Sequence, residues 1–314
     1  MQILGGSDQA QSSHLLNDPS ARTLVAGDLE AVFLPGHGML GASLRHRGVE
    51  MLRRVEDLDA AAANGSTAGI PLLHPWANRL AGSRYRAAGR EVNLDPSFPL
   101  LHLDAHGLPM HGVPWSLLAW EPTEARQDFL AARLEWTRSD LLRVFPFRHR
   151  LEMAATLCSD GLTIETTLVA GPDGPVPVSF GFHPYFGLAD FPRAQWRLEL
   201  PAMRRLVVGP RGIPTGNEEP FDGLDAKLGE LAFDDGFALM AEQALFSVAG
   251  AGLRISLEFL AGYPYAQVYA PKDKDYIALE PMTAPTSALT SARGLRLVKP
   301  GEQFGAVFRI RVDA

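Results

Sequence analysis

A period-two alternation of apolar and polar side chains restricts the fold of this chain more than any other feature. In residues 147–153 every odd position is apolar or aromatic and every even position is charged. The same alternation recurs in residues 253–259 and 308–312. Because successive side chains of a strand point to opposite faces of its sheet, these segments are typical of half-buried strands. No segment shows a sustained period of 3.6 residues, so the pattern predicts a mostly antiparallel all-β fold.

Short glycine-containing turns separate the predicted strands. Ser159-Asp160-Gly161 joins two of them, and Gly250-Ala251-Gly252 joins another two. Glycine accepts the positive φ that tight hairpin turns require, so both sites predict hairpins. Since we find no repeat, low-complexity tract or linker, we expect residues 1–314 to form one large β-sandwich domain with few short helices.

The N-terminal part has a weaker pattern. We expect residues 1–20 to be a loose segment and residues 23–34 to form a first strand. The turn at 35–38 precedes a second predicted strand near 39–46, and residues 56–67 form a short helix or a loop.

Composition excludes several classes of partner. The formal net charge is -7 and there is no basic run, which argues against nucleic acid and anionic membranes. Cys158 is the only cysteine, so no internal disulfide forms and a reducing, cytoplasmic location is expected. We see neither a signal peptide nor an apolar run approaching the ~20 residues of a membrane helix. Motifs for nucleotide phosphates and dinucleotides are absent, and we expect no cofactor.

A stretch rich in aromatic residues surrounds one histidine. Residues 179–188 contain four aromatic side chains, and His183 is followed by Pro184. A residue before proline is extended, so His183 should end a strand or lie on a rim. Its unperturbed pKa of about 6.5 allows proton transfer near neutral pH, and aromatic faces suit the C–H faces of a sugar. A core histidine bonded to a backbone carbonyl is the alternative.

Three more histidines, His102, His106 and His111, lie within ten residues. Gly107 and Pro109 prevent the helix that would place them on one face, and no cluster of acidic or cysteine ligands accompanies them. We therefore expect no metal site here, and one or two of these histidines as hydrogen-bonding groups in a pocket.

Other polar residues are weaker candidates. Asn78 and Arg79 together offer several donors and an acceptor. In 276–281 an apolar run leads to Glu280, and Pro281 has no N–H to donate, so Glu280 is predicted to end a strand near a rim. Taken alone, each of these residues also fits an ordinary surface position.

Together, the motifs resemble the aldose 1-epimerase (galactose mutarotase) family from about residue 69 to 285. The resemblance rests on five short motifs in the family's order: Asn78-Arg79 with Gly82, His111-Gly112, Phe182-His183-Pro184-Tyr185-Phe186, Gln267-Val268-Tyr269 and Leu279-Glu280-Pro281. It implies a large antiparallel β-sandwich, the galactose mutarotase-like supersandwich, with a sugar in an open cleft.

The resemblance also implies roles and an activity. The implied enzyme is an isomerase that interconverts the α and β anomers of an aldose, without metal, as a monomer or homodimer. Glu280 is the implied general base and His183 the general acid, while His111 holds and polarises the ring. The residues implied to contact sugar hydroxyls or support the site are Asn78, Arg79, Asp234 and Gln267.

The chain departs from the family pattern at several places: Gly187 for Asn, Val113 for Gly, Asp235-Gly236 for His-Asn and Met282 for Gln. Two alternatives therefore stay open. One is a hexose-6-phosphate 1-epimerase, with Arg84 and Arg86 supplying charge. The other is a non-catalytic sugar-binding protein of the same fold, although pure binding requires neither an acid nor a base.

Overall fold

The structure, a computed structural model, describes residues 18–53, 58–64, 66–188 and 191–314, and strands dominate it. In chain order the strands are β1 (Arg22–Ala26), β2 (Leu29–Leu34), β3 (Leu40–His46), β4 (Val49–Glu50), β5 (Leu72–Leu73), β6 (Arg84–Ala87), β7 (Arg90–Asn93), β8 (Glu121–Ala125), β9 (Phe129–Trp136), β10 (His149–Cys158), β11 (Gly161–Ala170), β12 (Val176–Val178), β13 (Gly181–Phe182), β14 (Tyr185–Phe186), β15 (Arg197–Leu200), β16 (Met203–Val208), β17 (Pro214–Phe221), β18 (Leu224–Lys227), β19 (Phe233–Leu239), β20 (Ala244–Gly250), β21 (Leu253–Ala261), β22 (Tyr265–Ala270), β23 (Ile277–Met282), β24 (Arg296–Val298) and β25 (Gln303–Asp313). The α-helices of this part of the chain are α1 (Leu58–Asn64), α2 (Ser139–Val144) and α3 (Ala288–Ser291), and none of them is long and apolar enough to cross a membrane.

Two large antiparallel sheets carry the fold. In the described residues, one sheet has nine strands in the order β18-β15-β20-β21-β25-β11-β10-β9-β8. The other has the order β17-β16-β19-β22-β23-β13-β5, with β14 also paired to β23. Their inner faces form one core, in which Phe182 of the second sheet packs on Phe308 of the first with 5.0 Å between ring centroids. This is the antiparallel β-sandwich that the alternation predicts.

The predicted hairpins are present. β10 and β11 pair from His149 opposite Ala170 to Cys158 opposite Gly161. Successive residues of β10 alternate between buried and more exposed positions, as the period-two pattern requires. β20 and β21 form the second hairpin, and its turn residues Ala251 and Gly252 both have positive φ, at 52° and 80°. Both hairpins are confirmed, but the positive φ expected of the turn glycine occurs only in the second turn, because Gly161 begins β11 without a positive φ.

The N-terminal predictions need one correction. Residues 23–34 form two strands, β1 and β2, because the chain reverses at Gly27, whose φ of 58° suits glycine. The turn at 35–38 and strand β3 are confirmed. Within 56–67 the structure has helix α1, while 56–57 and 65 lie outside the described residues. Of residues 1–20, only 18–20 are described, and Ser20 Oγ accepts a hydrogen bond from the Gly36 N–H.

The ladder along one flank of β23 opens in the middle. β13 pairs with β23 at Gly181 and β14 pairs from Tyr185, both in the same register. His183, midway between them, lies opposite Glu280. The prediction that Glu280 ends a strand is therefore wrong, since β23 continues beyond it. Proline has no N–H to donate to a neighbouring strand. Pro281 is tolerated because, within the described strands, neither β13 nor β14 pairs with β23 between Ala278 and Met282, so no hydrogen bond on that side is lost.

Candidate active site

One face of the second sheet presents three of the predicted site residues. On β23, Leu279 faces the core, so Glu280 points to the opposite face. Gln267 of β22 pairs directly with Glu280, and Gly236 of β19 pairs with Gln267. Asp234 is two residues from Gly236 and therefore shares their face. The strand register thus brings together residues that are far apart in the sequence.

Two loops supply three more predicted residues, Asn78, Arg79 and His111, while His183 lies between β13 and β14. Asn78 and His111 both have positive φ, at 55° and 60°, which is uncommon outside glycine. The backbone N–H of His111 donates to the carbonyl of Asn78 at 2.9 Å, and the Asn78 side-chain oxygen accepts from the Arg79 N–H at 2.8 Å. Each left-handed residue costs of order 1 kcal/mol or more, and such strain concentrates at functional sites. The two loops therefore support each other in a strained arrangement.

Strands and loops together enclose a cavity of about 510 Å³. Every site residue predicted from the sequence lines it: Asn78, Arg79, His111, His183, Asp234, Gln267 and Glu280. The volume suits a small polar ligand such as a monosaccharide.

His183 and Glu280 are in direct contact at this cavity. His183 Nε2 is 3.2 Å from Glu280 Oε1, and the two residues are 5% and 2% exposed. Burial raises the pKa of Glu280 well above its usual value and lowers the pKa of His183 well below its own. Both shifts favour uncharged groups, because a buried charge is poorly solvated. Burial therefore favours the uncharged form of each group, and their contact places Oε1 and Nε2 within reach of one shared proton.

His111 is a neutral hydrogen-bonding group. Burial of most of its ring and the nearby Arg79 charge lower its pKa to about 3. Its ring centroid lies 5.5 Å from that of His183, at an interplanar angle of 80°. His102 also lines the cavity, whereas His106 is exposed on the loop. Among the described residues, no group of three or more His, Cys, Asp or Glu side chains is arranged to hold a metal ion.

Two polar pairs fix the donors on the cavity walls. Arg79 Nε donates to Asp104 Oδ2 at 2.7 Å, which orients the guanidinium and partly neutralises its charge. Gln267 Nε2 donates to Asp234 Oδ1 at 2.7 Å. Both pairs leave further donors and acceptors for sugar hydroxyls.

Only one of the four aromatic rings in 179–188 contacts the histidine. Tyr185 stacks on His183 with 4.2 Å between centroids and 19° between planes. Phe180, Phe182 and Phe186 are buried in the core, so the expectation of a fully aromatic surround is wrong. A core histidine of the kind considered as the alternative occurs elsewhere, where His149 Nδ1 donates to the carbonyl of Phe147 at 2.7 Å.

Sequence reasoning missed several residues that line the cavity: Arg53, Thr67, Met110, Tyr269 and Tyr276 among them. Tyr269 had a usable signal, because it lies two residues after Gln267 on the same strand face. Arg53 and Thr67 come from segments without periodicity, and nothing in the sequence places them here.

The departures from the family pattern lie mostly outside the cavity. Val113 and Met282 are buried among apolar residues. Asp235 Oδ1 lies 3.5 Å from Arg205 Nε. Gly187 lines a neighbouring cavity together with Arg53. Gly236 is the exception, because it pairs with Gln267 on the site face and a Cβ there would lie 3.2 Å from Gln267 Oε1. The other substitutions change the surroundings of the site more than its walls.

Comparison with known proteins agrees with this geometry. The family model described as aldose 1-epimerase matches residues 26–311. Over 306 residues the chain is 24% identical to YihR, an uncharacterized protein of Escherichia coli K12, with 92% of each protein covered. It is 29% identical over 171 residues to another uncharacterized protein of that bacterium, YphB; this match covers 52% of the chain and 54% of YphB, about half the length of that relative.

The fold has a close counterpart among solved structures. A galactose mutarotase-like protein from Clostridium acetobutylicum is 18% identical, with a TM-score of 0.78 over 93% of this chain and 94% of that one. The supersandwich expected from the sequence is therefore confirmed. Because the family model spans most of the chain, the protein belongs to the aldose 1-epimerase family, whose members are isomerases that act on small sugars.

Proposed function

We propose that the protein interconverts the α and β anomers of an aldose, with Glu280 as general base and His183 as general acid. The observation that carries the proposal is the direct contact between these two buried groups in a sugar-sized cavity. A protein that only binds sugar gains nothing from a buried acid–base pair, which costs stability. The pair is therefore better explained by proton transfer.

The proton inventory balances without a co-reactant. Moving the shared proton from Glu280 to His183 gives a carboxylate and an imidazolium. The carboxylate then takes the proton of the anomeric hydroxyl while the imidazolium protonates the ring oxygen, and the bond between C1 and that oxygen breaks. After rotation about C1–C2 the new hydroxyl attacks the other face of C1. His183 recovers its proton and Glu280 returns its own to the anomeric oxygen.

The remaining cavity residues bind and orient the sugar in this scheme. His111, neutral near pH 7, polarises the ring by a hydrogen bond. Asn78, Arg79, Asp234 and Gln267 contact hydroxyls. Holding the ring fixed against both catalytic groups is worth several orders of magnitude in rate.

Optical rotation of freshly dissolved, anomerically pure aldoses tests the proposal. We expect the wild type to accelerate mutarotation of at least one sugar in a panel, and Glu280→Gln to be indistinguishable from buffer while keeping its circular dichroism spectrum. Saturable sugar binding by calorimetry without any acceleration would support the non-catalytic alternative instead.

A second candidate is an aldose carrying an anionic group at C6, such as a hexose 6-phosphate. Arg84 and Arg86, the arginines first considered for this role, are exposed on β6. Neither is among the described residues that line the cavity. Arg53 does line it, stacked over Tyr276 at 4.2 Å. Among the described residues it has no carboxylate partner. In an aldopyranose C6 is bonded to C5, next to the ring oxygen, so under the proposed mechanism a C6 substituent would lie on the side of His183.

Comparing glucose, glucose 6-phosphate and glucuronate separates the two candidates. A free-aldose enzyme gives the highest kcat/KM with glucose, and Arg53→Gln changes the three substrates alike. An enzyme for C6 anions prefers one of the charged sugars, and Arg53→Gln removes that preference.

We also propose that residues 1–314 act as one domain, as a monomer or homodimer in the cytoplasm, without nucleic acid or membrane. The single cysteine and the net charge of -7 support this.

A further inference from the structure

A second cavity lies beside the candidate active site. Its volume is about 280 Å³, and its walls come from β16, β17, β22 and the segment that contains α3. Tyr265 contributes a half-buried aromatic ring. Hydroxyl and amide side chains line much of the rest: Thr215, Asn217, Thr286, Thr290 and Ser291. These groups both donate and accept hydrogen bonds, and an aromatic ring packs on C–H groups, so the lining suits a sugar unit.

The strand register places both cavities on one face of the second sheet. Gly236 of β19 pairs with Gln267, which lines the first cavity. A Cβ atom at Gly236 would lie 3.2 Å from Gln267 Oε1 and 3.4 Å from Leu206 Cδ1, and Leu206 lines the second cavity. Glu218 of β17 pairs with Leu206 and also lines the second cavity. Because Gly236 has no side chain, only its backbone lies on the sheet between the two cavities.

The loop that carries Arg79 borders both cavities. Arg79 itself lines the first cavity. A Cβ atom at Gly212 would lie 3.3 Å from Arg79 Nη1, and the next residue, Ile213, lines the second cavity. Two residues after Arg79, the N–H of Ala81 donates to Ser287 Oγ at 2.9 Å, and both of these residues line the second cavity. The two cavities are therefore neighbours on the loop side as well as on the sheet.

The wall of the second cavity contains two constrained positions. Ser287 is 3% exposed and has a φ of 66°, and strain of this kind concentrates at functional sites. Gly216 has a φ of 95°, and the guanidinium of Arg293 occupies the position where a Cβ atom would lie. Arg293 therefore packs directly on β17. Among the described residues no carboxylate pairs with it, so its donors remain available to a ligand.

The proposed mechanism determines which side of the sugar faces the second cavity. It places the ring oxygen against His183 and the anomeric hydroxyl against Glu280. Around an aldopyranose ring, C2 and then C3 follow C1 on the side away from the ring oxygen. Gln267 is the neighbour of Glu280 on the side of β23 away from His183. The hydroxyls at C2 and C3 therefore point towards Gln267 and the second cavity, whereas C6 points away from it.

We propose that the second cavity is a subsite for a glycosyl unit linked to O2 or O3 of the aldose in the catalytic cavity. The substrate class is then a reducing disaccharide or a longer reducing oligosaccharide. Tyr265 and Gln267 are two residues, about 7 Å, apart on one strand face, which is comparable to the spacing of neighbouring sugar rings. The added unit packs on Tyr265 and accepts hydrogen bonds from Arg293. This inference rests on the proposed function of Glu280 and His183.

Four sugars test the subsite by polarimetry. Sophorose and laminaribiose carry a glucosyl unit on O2 and O3 of glucose, gentiobiose carries it on O6, and glucose carries none. We expect kcat/KM for sophorose or laminaribiose to be about tenfold higher than for gentiobiose and glucose. Equal values for all four sugars, or the highest value for gentiobiose or glucose, would overturn the subsite.

Two variants locate the preference in the second cavity. Arg293→Gln removes the guanidinium and should reduce the preference severalfold. Thr290→Trp fills the cavity from an exposed position of α3 and should abolish the preference, with turnover of glucose unchanged in both variants. Arg211→Gln is the matched control, because Arg211 is exposed on the neighbouring turn and is not among the described residues that line the cavity. A preference that survives in Thr290→Trp would contradict the assignment.

Binding without turnover separates this inference from the proposed function. In Glu280→Gln, calorimetry measures the Kd of sophorose, laminaribiose and gentiobiose. Tighter binding of sophorose or laminaribiose, lost when Thr290→Trp is added, supports the subsite even if the wild type accelerates no mutarotation. The absence of any difference among the three disaccharides would contradict the subsite even in an active enzyme.

Discussion

Glu280 and His183 are each costly to charge alone, because both side chains are buried. Their contact at 3.2 Å allows one proton to pass between them, which creates a base and an acid in the same step. Removing either partner leaves the other without its proton donor or acceptor. The pair therefore acts as a unit, and its two apparent pKa values belong to both residues.

We predict that His183→Ala lowers kcat for mutarotation by about 10²–10⁴-fold, the usual contribution of a positioned acid or base. Polarimetry of a fresh α-anomer measures the loss. His106→Ala is the matched control, because that histidine is exposed on the loop and should leave the rate unchanged. Near-wild-type turnover in His183→Ala, with the control also active, would remove His183 from the chemistry.

At the scale of elements, the loop carrying His111 is held by close backbone packing. Gly112 has a φ of 69°, and a Cβ atom there would lie 2.2 Å from the carbonyl oxygen of His74. The same carbonyl accepts the Val113 N–H at 2.9 Å. The segment directly after β5 and the His111 loop are thus in direct backbone contact, and only glycine fits between them.

We predict that Gly112→Ala destabilises the fold by several kcal/mol and sharply lowers kcat, because the clash displaces His111. Gly107→Ala is the control: its φ is also 69°, but the space where its Cβ would lie is open. The control should lose only about 1–2 kcal/mol, the cost of left-handed backbone in an L-residue. Urea titration and polarimetry measure both effects, and equal losses in the two variants would argue against the clash.

Element types were predictable where local pattern decides them. The alternation in 147–153 and the turn at 159–161 give the β10–β11 hairpin directly, since period and turn chemistry are local properties. The prediction that β23 ends at Glu280, before Pro281, was wrong. The strand continues through Pro281 because the segment paired with β23 on one side is divided into β13 and β14. That break depends on pairing between segments about 100 positions apart, which no local rule describes.

The site was predictable to a similar degree. Motif resemblance identified Glu280, His183 and the other cavity residues of the family pattern. Arg53 and Thr67 line the same cavity, but they lie in segments without periodicity, and only tertiary packing brings them there. That Phe180, Phe182 and Phe186 lie in the core likewise depends on tertiary packing, because the side chains that face the nine-stranded sheet become buried.

At the scale of the whole molecule, burial of histidines sets the acid stability. Burial lowers the pKa of four histidines: that of His74 and His183 well below the usual value, that of His149 to about 4 and that of His111 to about 3. Below about pH 6.5 the unfolded chain therefore binds protons that the folded chain does not. Glu280 acts in the opposite direction, since its raised pKa reduces stability as pH rises above its unfolded value. The four histidines outweigh the single carboxyl.

We predict that the free energy of unfolding falls steeply between pH 6.5 and 4.5, by about 1.4 kcal/mol per pH unit for each net proton. Urea unfolding at several pH values measures the slope. His111→Asn should reduce it by about one proton, and His106→Ala, at an exposed position, should leave it unchanged. A stability that does not vary with pH over this range would contradict the burial of these imidazoles in the folded state.

Glu280 is carried by β23 and His183 lies beside it in the break between β13 and β14, whereas Arg53, Asn78, Arg79 and His111 are carried by loops. Natural or laboratory selection can therefore change which sugar the site prefers by altering the loop sequences, while the reacting groups stay in place. A directed-evolution library confined to those loops would sample new sugars without having to rediscover the chemistry each time.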